Sequence, residues 1–228
     1  MVASKAFSEE DRKAISTAVA EAEKKTSAEI VPVVATTSDR YERAEDLWGL
    51  LGALLAVAGG WPFFHFGHFF SDWQSSGSNV PNPPPQLPLV LAAMAVGWIV
   101  GVVLAKVTPG IKRLAVSRRA MTARVLIAAH HAFDSLHAHR TAGGTGVVIY
   151  VSLFERRVCV WADRKVSEKI SEAEWKTMTE HLIASLRDGK PREGFVDAIR
   201  KAGDLLAAPF PVQAGDVNEL PNELRILD

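Results

Sequence analysis

The chain contains a single cysteine, Cys159, among 228 residues. One thiol excludes an intrachain disulfide framework and a zinc site built mainly from cysteine ligands. Cys159 stands in an apolar, alternating segment, so we interpret it as a small buried hydrophobic residue. The chain also lacks an excess of either charge, since 26 Lys and Arg residues balance 26 Asp and Glu residues. This balance, and the lack of a basic patch interleaved with aromatic residues, argue against a nucleic-acid partner.

Several signatures of catalysis and targeting are missing from the sequence. There is no P-loop, GxGxxG, GxSxG, HExxH or EF-hand loop, so the commonest motifs for nucleotide, serine-hydrolase, zinc-protease and calcium chemistry are absent. The first residues carry no apolar segment of the kind found in secretory signal peptides, so we expect none. Insertion into a membrane would then begin at an internal apolar run.

Two long runs contain no Asp, Glu, Lys or Arg: Leu47–Phe70 with 24 residues and Leu87–Ala105 with 19 residues. A helix rises about 1.5 Å per residue and crosses the hydrocarbon core with about 20 residues, so both runs are long enough to span it. Both are apolar on all sides, whereas a helix in the core of a soluble domain is amphipathic. The sequence therefore predicts a transmembrane hairpin over 47–105, with a proline-rich loop at 71–86.

Basic residues near the two runs lie on one side of the predicted membrane. Two precede the first run, six follow the second before the next acidic residue, and the loop has none: Arg40, Arg43, Lys106, Lys112, Arg113, Arg118, Arg119 and Arg124. The positive-inside rule then predicts that both termini lie in the cytoplasm and the loop outside the cell's inner (plasma) membrane. The lipid bilayer is the predicted partner, with other membrane proteins as further candidates.

Small residues in both runs would allow close helix packing, since Gly97 and Gly101 form a GxxxG motif and Ala56 and Gly60 a second small-residue pair. Neither run has an ionisable residue at its centre, which disfavours a transporter subunit. We interpret His65 and His68, near the outer end of the first run, as interfacial residues.

The remaining sequence alternates between helical and extended patterns. The predicted elements are a helix capped at Ser8, a strand at Glu29–Thr37, a helical region from Lys112 to His139, strands at Gly146–Phe154 and Arg157–Asp163 that form an antiparallel hairpin, a helix capped at Ser171, and a helix that stops before Pro209. Segment 1–46 is too small for a core, and segment 106–211 offers too narrow a sheet. We expect one domain built from both, followed by a flexible tail at 212–228.

Three stretches resemble the TPM domain family, also labelled TPM phosphatase: Phe7–Val34, His139–Val166 and Trp175–Pro211. The most specific part is the string TGVVIYVS followed by ERRV and AD. The chain looks like the short bacterial membrane form, in which a two-helix insertion follows the first strand. The resemblance implies an α/β/α sandwich with a small mixed sheet. It implies much less about activity: the family has been linked with phosphatase activity and with divalent ions, of which Ca²⁺ and Mg²⁺ are the candidates here.

The carboxylates of the hairpin can be sorted by distance. Glu155 lies at the turn and Asp163 at the far end of the second strand, about 25 Å away at about 3.3 Å per residue. The two carboxylates cannot bind one metal ion. Because the hairpin is antiparallel, Asp163 at the end of its second strand lies beside the start of its first strand. We therefore expect a candidate site at this end of the sheet.

The members of this candidate site are His139, Arg140, Thr141, Asp163 and Arg164. Asp163 would be the metal ligand or the base, and Arg140 or Arg164 the phosphate contact. The alternative is that Asp163 caps a turn and the arginines are solvated.

A second metal candidate is the set His130, Asp134 and His137, whose i, i+4, i+7 spacing places them on one helical face. The alternative is an ordinary solvated polar face. Taken together, the sequence favours a membrane-tethered TPM-like domain that acts as an interaction or regulatory module. The alternative function is a weak, divalent-metal-dependent phosphatase.

Overall fold

The structure is a computed structural model that describes residues 2–74, 86–141, 143–212 and 217–228, and of 61–74 and 86–87 the backbone alone. Its helices are α1 Ala3–Ala6, α2 Glu9–Glu23, α3 Glu42–Gln74, α4 Gln86–Val107, α5 Pro109–Leu114, α6 Arg118–Ser135, α7 Arg164–Lys169, α8 Glu172–Arg187 and α9 Pro191–Ala207. The strands are β1 Ile30–Ala35, β2 Val147–Ser152, β3 Arg157–Ala162 and β4 Arg225–Leu227, and a short 3-10 turn spans Ala138–Arg140.

The strands form one sheet in the order β3-β2-β1-β4. β1 is parallel to both β2 and β4, whereas β2 and β3 form the predicted antiparallel hairpin. The sheet is therefore mixed, and the predicted mixed α/β fold is confirmed. Valine and isoleucine dominate β1 and β2 because β-branched side chains pack well on a pleated surface.

Pro32 lies inside β1, although proline cannot donate a hydrogen bond to a neighbouring strand. Val147 N–H donates to the Glu29 carbonyl at 2.8 Å and Leu153 N–H to the Ala35 carbonyl at 3.0 Å, so the odd-numbered residues of β1 face β2. Pro32 therefore faces the β4 side, where pairing begins only at Val33. The missing donor removes no bond from the sheet.

Alternate residues of the strands face two separate apolar clusters. Ile30 and Val147 belong to a cluster that they share with α2, α8 and α9. Val31 and Val148 belong to a cluster on the other face, shared with α6. Helices thus cover both faces of the sheet, because the period of two directs successive side chains to opposite sides.

Capping serines determine where α2 and α8 begin. Asp11 N–H donates to Ser8 Oγ at 3.2 Å and Ser8 N–H donates to Asp11 Oδ2 at 2.9 Å, which confirms the predicted capping box. Ser171 N–H donates to Glu174 Oε2 at 2.8 Å at the start of α8. Both helices therefore start at the serines where the sequence predicts them to start.

Two sequence predictions are wrong in part. The helical region 112–139 is interrupted after Leu114, and α6 begins only at Arg118. The tail expected to be flexible supplies β4, which pairs with β1 from Val33 to Ala35, and Leu224 is buried. The free edge of β1 provides the hydrogen-bonding partner that makes these last residues a strand.

The chain divides into two compact units: residues 1–39 with 118–228, and residues 40–117. The first unit contains the sheet and its helices. The domain boundaries at 46 and 106 stay a prediction.

In the second unit, α3 and α4 pack against each other through glycine. A Cβ atom added at Gly52 would lie 2.2 Å from the Gly97 carbonyl oxygen, and one added at Gly101 would lie 2.1 Å from the Trp48 carbonyl oxygen. Such distances are far inside van der Waals contact, so only glycine fits at positions 52 and 101. The GxxxG motif of α4 therefore faces α3.

Polar contacts join the ends of this helical pair. Lys112 Nζ lies 2.6 Å from Glu45 Oε1, and Trp48 Nε1 donates to the Ile111 carbonyl at 3.0 Å. The hydrogen bond from Lys112 lowers the pKa of Glu45. These contacts fix α5 beside the start of α3.

One helical stretch of the described residues, Pro88–Val107 in α4, is long and apolar enough to cross a membrane, with a mean hydropathy of 2.4. Core helices of soluble proteins can be as long and as apolar, but they are mostly buried, whereas 17% of this stretch is buried. The predicted run Leu47–Phe70 ends among residues whose side chains lie outside the described part, as do His65 and His68. Two spans therefore stay a prediction.

The glycine seam can be tested with a matched pair on α3. Gly52→Leu would force a side chain into the Gly97 backbone, whereas a Cβ at Gly59 has nothing within 4 Å. We expect Gly52→Leu to destabilise the helical pair by about 1–3 kcal/mol, the usual cost of overpacking, and Gly59→Leu to leave it unchanged. Thermal unfolding in detergent, followed by tryptophan fluorescence, would measure this. Equal melting temperatures for the two variants would contradict the seam.

Candidate functional site

Asp163 lies at the end of the sheet where β2 begins. The β2–β3 register pairs Val147 with Ala162, and Asp163 N–H donates to the Gly146 carbonyl at 2.9 Å. Glu155 lies in the turn at the opposite end of this hairpin. The structure therefore places the two carboxylates at opposite ends of the sheet.

A tight loop before β2 holds Thr141 beside this end. Thr145 N–H donates to Thr141 Oγ1 at 3.0 Å, and Gly144 N–H donates to the Thr141 carbonyl at 2.9 Å. Gly144 has φ +61°, a conformation that costs glycine little. Lys165 Nζ donates to the Gly143 carbonyl at 2.6 Å and ties the loop to α7. Thr141 is therefore buried and engaged in holding the loop.

Asp163 itself occupies the N-cap position of α7, but its side chain makes no cap hydrogen bond. Its backbone carbonyl accepts from Ser167 N–H at 3.0 Å, while Oδ2 is buried with no hydrogen-bond partner in the described part of the chain. Arg164 is 91% exposed and pairs with Glu168 at 2.8 Å. Arg164 therefore points into solvent, which agrees with the alternative prediction that the arginines are solvated.

The other two members lie on the 3-10 turn before this loop. The His139 ring is 6.3 Å from the Phe133 ring, and its Nδ1 lies 3.9 Å from Asp134 Oδ1. Arg140 and Thr141 line a cleft of about 410 Å³. The predicted residues are thus divided between the α7 end of the sheet and this cleft, with Thr141 belonging to both.

Most of the cleft was not predicted from the sequence. It is lined by Val31, Ser135, Leu136, His137, Arg140, Thr141, Glu219, Leu220, Pro221 and Arg225. The tail residues were missed because they were expected to be flexible. The alternation of Leu224, Arg225 and Ile226 was the only signal, and three residues are too few to distinguish a strand.

The second metal candidate is only partly assembled. His130 Nε2 lies 3.5 Å from Asp134 Oδ2, one helical turn away on α6. His137 leaves the helical face because it has a left-handed backbone, with φ 57°. Among the residues that the structure describes, no group of three or more His, Cys, Asp or Glu side chains could hold a metal ion.

Glu155, at the opposite end of the sheet, is buried and accepts hydrogen bonds that stabilise the fold. It is 1% exposed, accepts from Ser38 N–H at 2.9 Å, and accepts a short hydrogen bond from Ser152 Oγ. Burial raises the pKa of Tyr150, whose hydroxyl lies 3.2 Å from Ser38 Oγ, and the charge of Glu155 adds to that rise. Glu155 therefore holds the loop that follows β1.

Residues 114–205 match the TPM domain family. The chain therefore contains a segment that is similar to the TPM domain. The matched segment contains α6, the β2–β3 hairpin, α7 and α8, together with Arg140 and Asp163. β1 and β4, which belong to the same sheet, lie outside the matched segment.

One solved structure shares the fold of this chain. It is the NMR structure of the BA42 protein from the psychrophilic bacterium Bizionia argentinensis, with a TM-score of 0.55 and 20% sequence identity. The likeness covers 96% of this chain and 94% of that chain. No curated protein matches the chain.

Removal of the Glu155 carboxylate should lower the stability of the fold more than removal of the Asp163 carboxylate. Glu155→Ala leaves the half-buried Ser38 N–H and the buried Ser152 hydroxyl without their acceptor, so we expect the free energy of unfolding to fall by about 2–4 kcal/mol. Asp163→Ala breaks no side-chain hydrogen bond and should change stability by less than about 1 kcal/mol. For a chain of this size the first loss lowers the melting temperature by about 4–16 °C. Thermal unfolding of both variants would check this, and a larger effect for Asp163→Ala would refute it.

Proposed function

We propose that this chain is a membrane-tethered TPM-domain protein, anchored by α3 and α4, whose TPM domain acts in the cytoplasm as an interaction or regulatory module. The observation that carries the proposal is the packing of the helical pair. Small residues of both helices, among them Gly52, Gly97 and Gly101, lie in its contact seam, and large apolar side chains lie on its outer surface. A soluble helical pair has the reverse arrangement.

The exposed side chains support this argument. On α3, Leu50, Leu54 and Leu55 are more than half exposed, and on α4 the same holds for Val96 and Ile99. In water, each square ångström of exposed apolar surface costs about 25 cal/mol, and soluble proteins rarely expose large contiguous patches. Lipid removes this cost, and small residues are the usual contacts between helices in lipid.

The pairing of β1 with β2 supports an even number of crossings. β1 precedes α3 and β2 follows α4, yet their residues pair from Ile30–Val147 to Ala35–Ser152. Both strands must therefore lie on one side of any membrane that the intervening segment enters. Two spans satisfy this condition, and the bias of Lys and Arg toward the helix ends favours the cytoplasm.

A binding role for the TPM domain is favoured over catalysis by the position of its charged groups. The cleft brings Arg140 and Arg225 together, whereas Asp163, the proposed base or metal ligand, is not among the cleft residues. A guanidinium-lined cleft is suited to holding an anionic group.

Cysteine labelling of the whole chain would test the topology. Burial raises the pKa of Cys159 to about 11, so little of it is the reactive thiolate at neutral pH, and Cys159→Ser removes the remaining background. In that background we expect Ser78→Cys, in the proline-rich loop, to react with an impermeant maleimide on intact cells. Glu21→Cys and Lys190→Cys should react only after the membrane is opened.

The protein should also stay with the membrane fraction after alkaline carbonate extraction. Release by carbonate, or labelling of Glu21→Cys and Lys190→Cys from opposite sides of the membrane, would overturn the proposal.

The phosphatase alternative can be tested on the purified chain in detergent. We expect hydrolysis of p-nitrophenyl phosphate to stay at background with Mg²⁺, with Ca²⁺ and with EDTA, because the proposed module performs no chemistry. Asp163→Ala serves as the matched control. Metal-dependent hydrolysis that Asp163→Ala abolishes would establish the phosphatase and contradict a purely binding role.

A further inference from the structure

We propose that the cleft between the end of α6 and the carboxy-terminal strand β4 binds a small organic carboxylate. The ligand would place its carboxylate between Arg140 and Arg225 and its apolar body against the opposite wall. This inference deepens the proposed role of the domain as a binding module by naming the chemical class of its ligand. It rests on the cleft of the first unit and does not depend on membrane insertion.

Two different elements bring the guanidinium groups to the cleft. Arg140 ends the 3-10 turn that follows α6. Arg225 opens β4, and its neighbours Leu224 and Ile226 pack into the cluster shared with α2, α8 and α9. Because successive side chains of a strand alternate, Arg225 faces the α6 side, where Val31 also lies.

Both guanidinium groups are available to a ligand. No carboxylate of the described residues forms an ion pair with Arg140 or Arg225. The Nε–H of Arg225 is buried and has no acceptor within the part of the chain that the structure describes. A buried donor without an acceptor is unfavourable, so a ligand oxygen at this position would be favoured.

The rest of the lining selects the kind of anion. Glu219 also lines the cleft, so two arginines and one carboxylate leave one net positive charge, which matches a monoanion. Val31, Leu136, Leu220 and Pro221 form an apolar wall. The volume of about 410 Å³ lies in the usual range for small-molecule sites. A carboxylate with an apolar body fits all three features.

The cleft wall formed by the tail is fixed in place by Glu29. This glutamate is 7% exposed and accepts from the backbone N–H groups of Glu219 at 3.2 Å and Leu220 at 3.3 Å. Leu220 also packs against the apolar cluster on the α6 face. This wall of the cleft is therefore formed before a ligand arrives, which reduces the entropy lost on binding.

Binding of benzoate to the purified full-length chain in detergent, measured by isothermal titration calorimetry, would test the proposal. We expect benzoate to bind, and Arg140→Gln and Arg225→Gln each to weaken binding at least about tenfold, since each removes a charge-assisted hydrogen bond. Arg164→Gln is the matched control, because Arg164 is exposed outside the cleft, and it should leave the affinity unchanged. Phenyl phosphate and neutral benzyl alcohol should bind more weakly than benzoate.

Arg140 is exposed, so Arg140→Gln should fold even if Arg225→Gln does not, and a melting curve of each variant would separate the two effects. Absence of benzoate binding, unchanged affinity in a folded Arg140→Gln, or tighter binding of phenyl phosphate or benzyl alcohol would each overturn the proposal. Because the measurement is made in detergent, these outcomes are independent of the labelling that tests membrane topology.

Discussion

The parallel pairing of β1 with β2 is the constraint on which the rest of the structure depends. It joins two segments that are separated by α3, α4, α5 and α6, and it provides the shared surface for both apolar clusters. Neither segment could bury its valines alone, since an isolated strand or a two-stranded hairpin is at best marginally stable. The pairing also requires the chain to return to β1 after the helical pair of α3 and α4.

Much of the fold could be predicted because its signals are local. The capping box of Ser8, the valine-rich segments of β1 and β2, and the turn at Glu155 each involve residues that are close in sequence. β4 could not be predicted, because three residues show no useful periodicity and their strand conformation depends on a distant partner. The break after Leu114 was missed for a similar reason, since no proline or glycine marks it.

The candidate site was predicted less completely. Counting residues along the hairpin was enough to predict that Asp163 lies at the same end of the sheet as Thr141. The same count predicted that Glu155 lies at the opposite end. The directions of side chains were not predictable in the same way. Arg164 turns to solvent beside Glu168, while the 3-10 turn directs Arg140 to the cleft. Arg225 was missed because its role appears only when β4 joins the sheet.

The long separation between β1 and β2 has a consequence for biosynthesis. Roughly 110 residues lie between the two strands, so at about 5–20 residues per second β2 emerges from the ribosome about 5–20 s after β1. During that interval an apolar strand has no partner on either edge, which is the condition that promotes aggregation. Nascent β1 is therefore exposed to pairing with the wrong strand until translation reaches the hairpin.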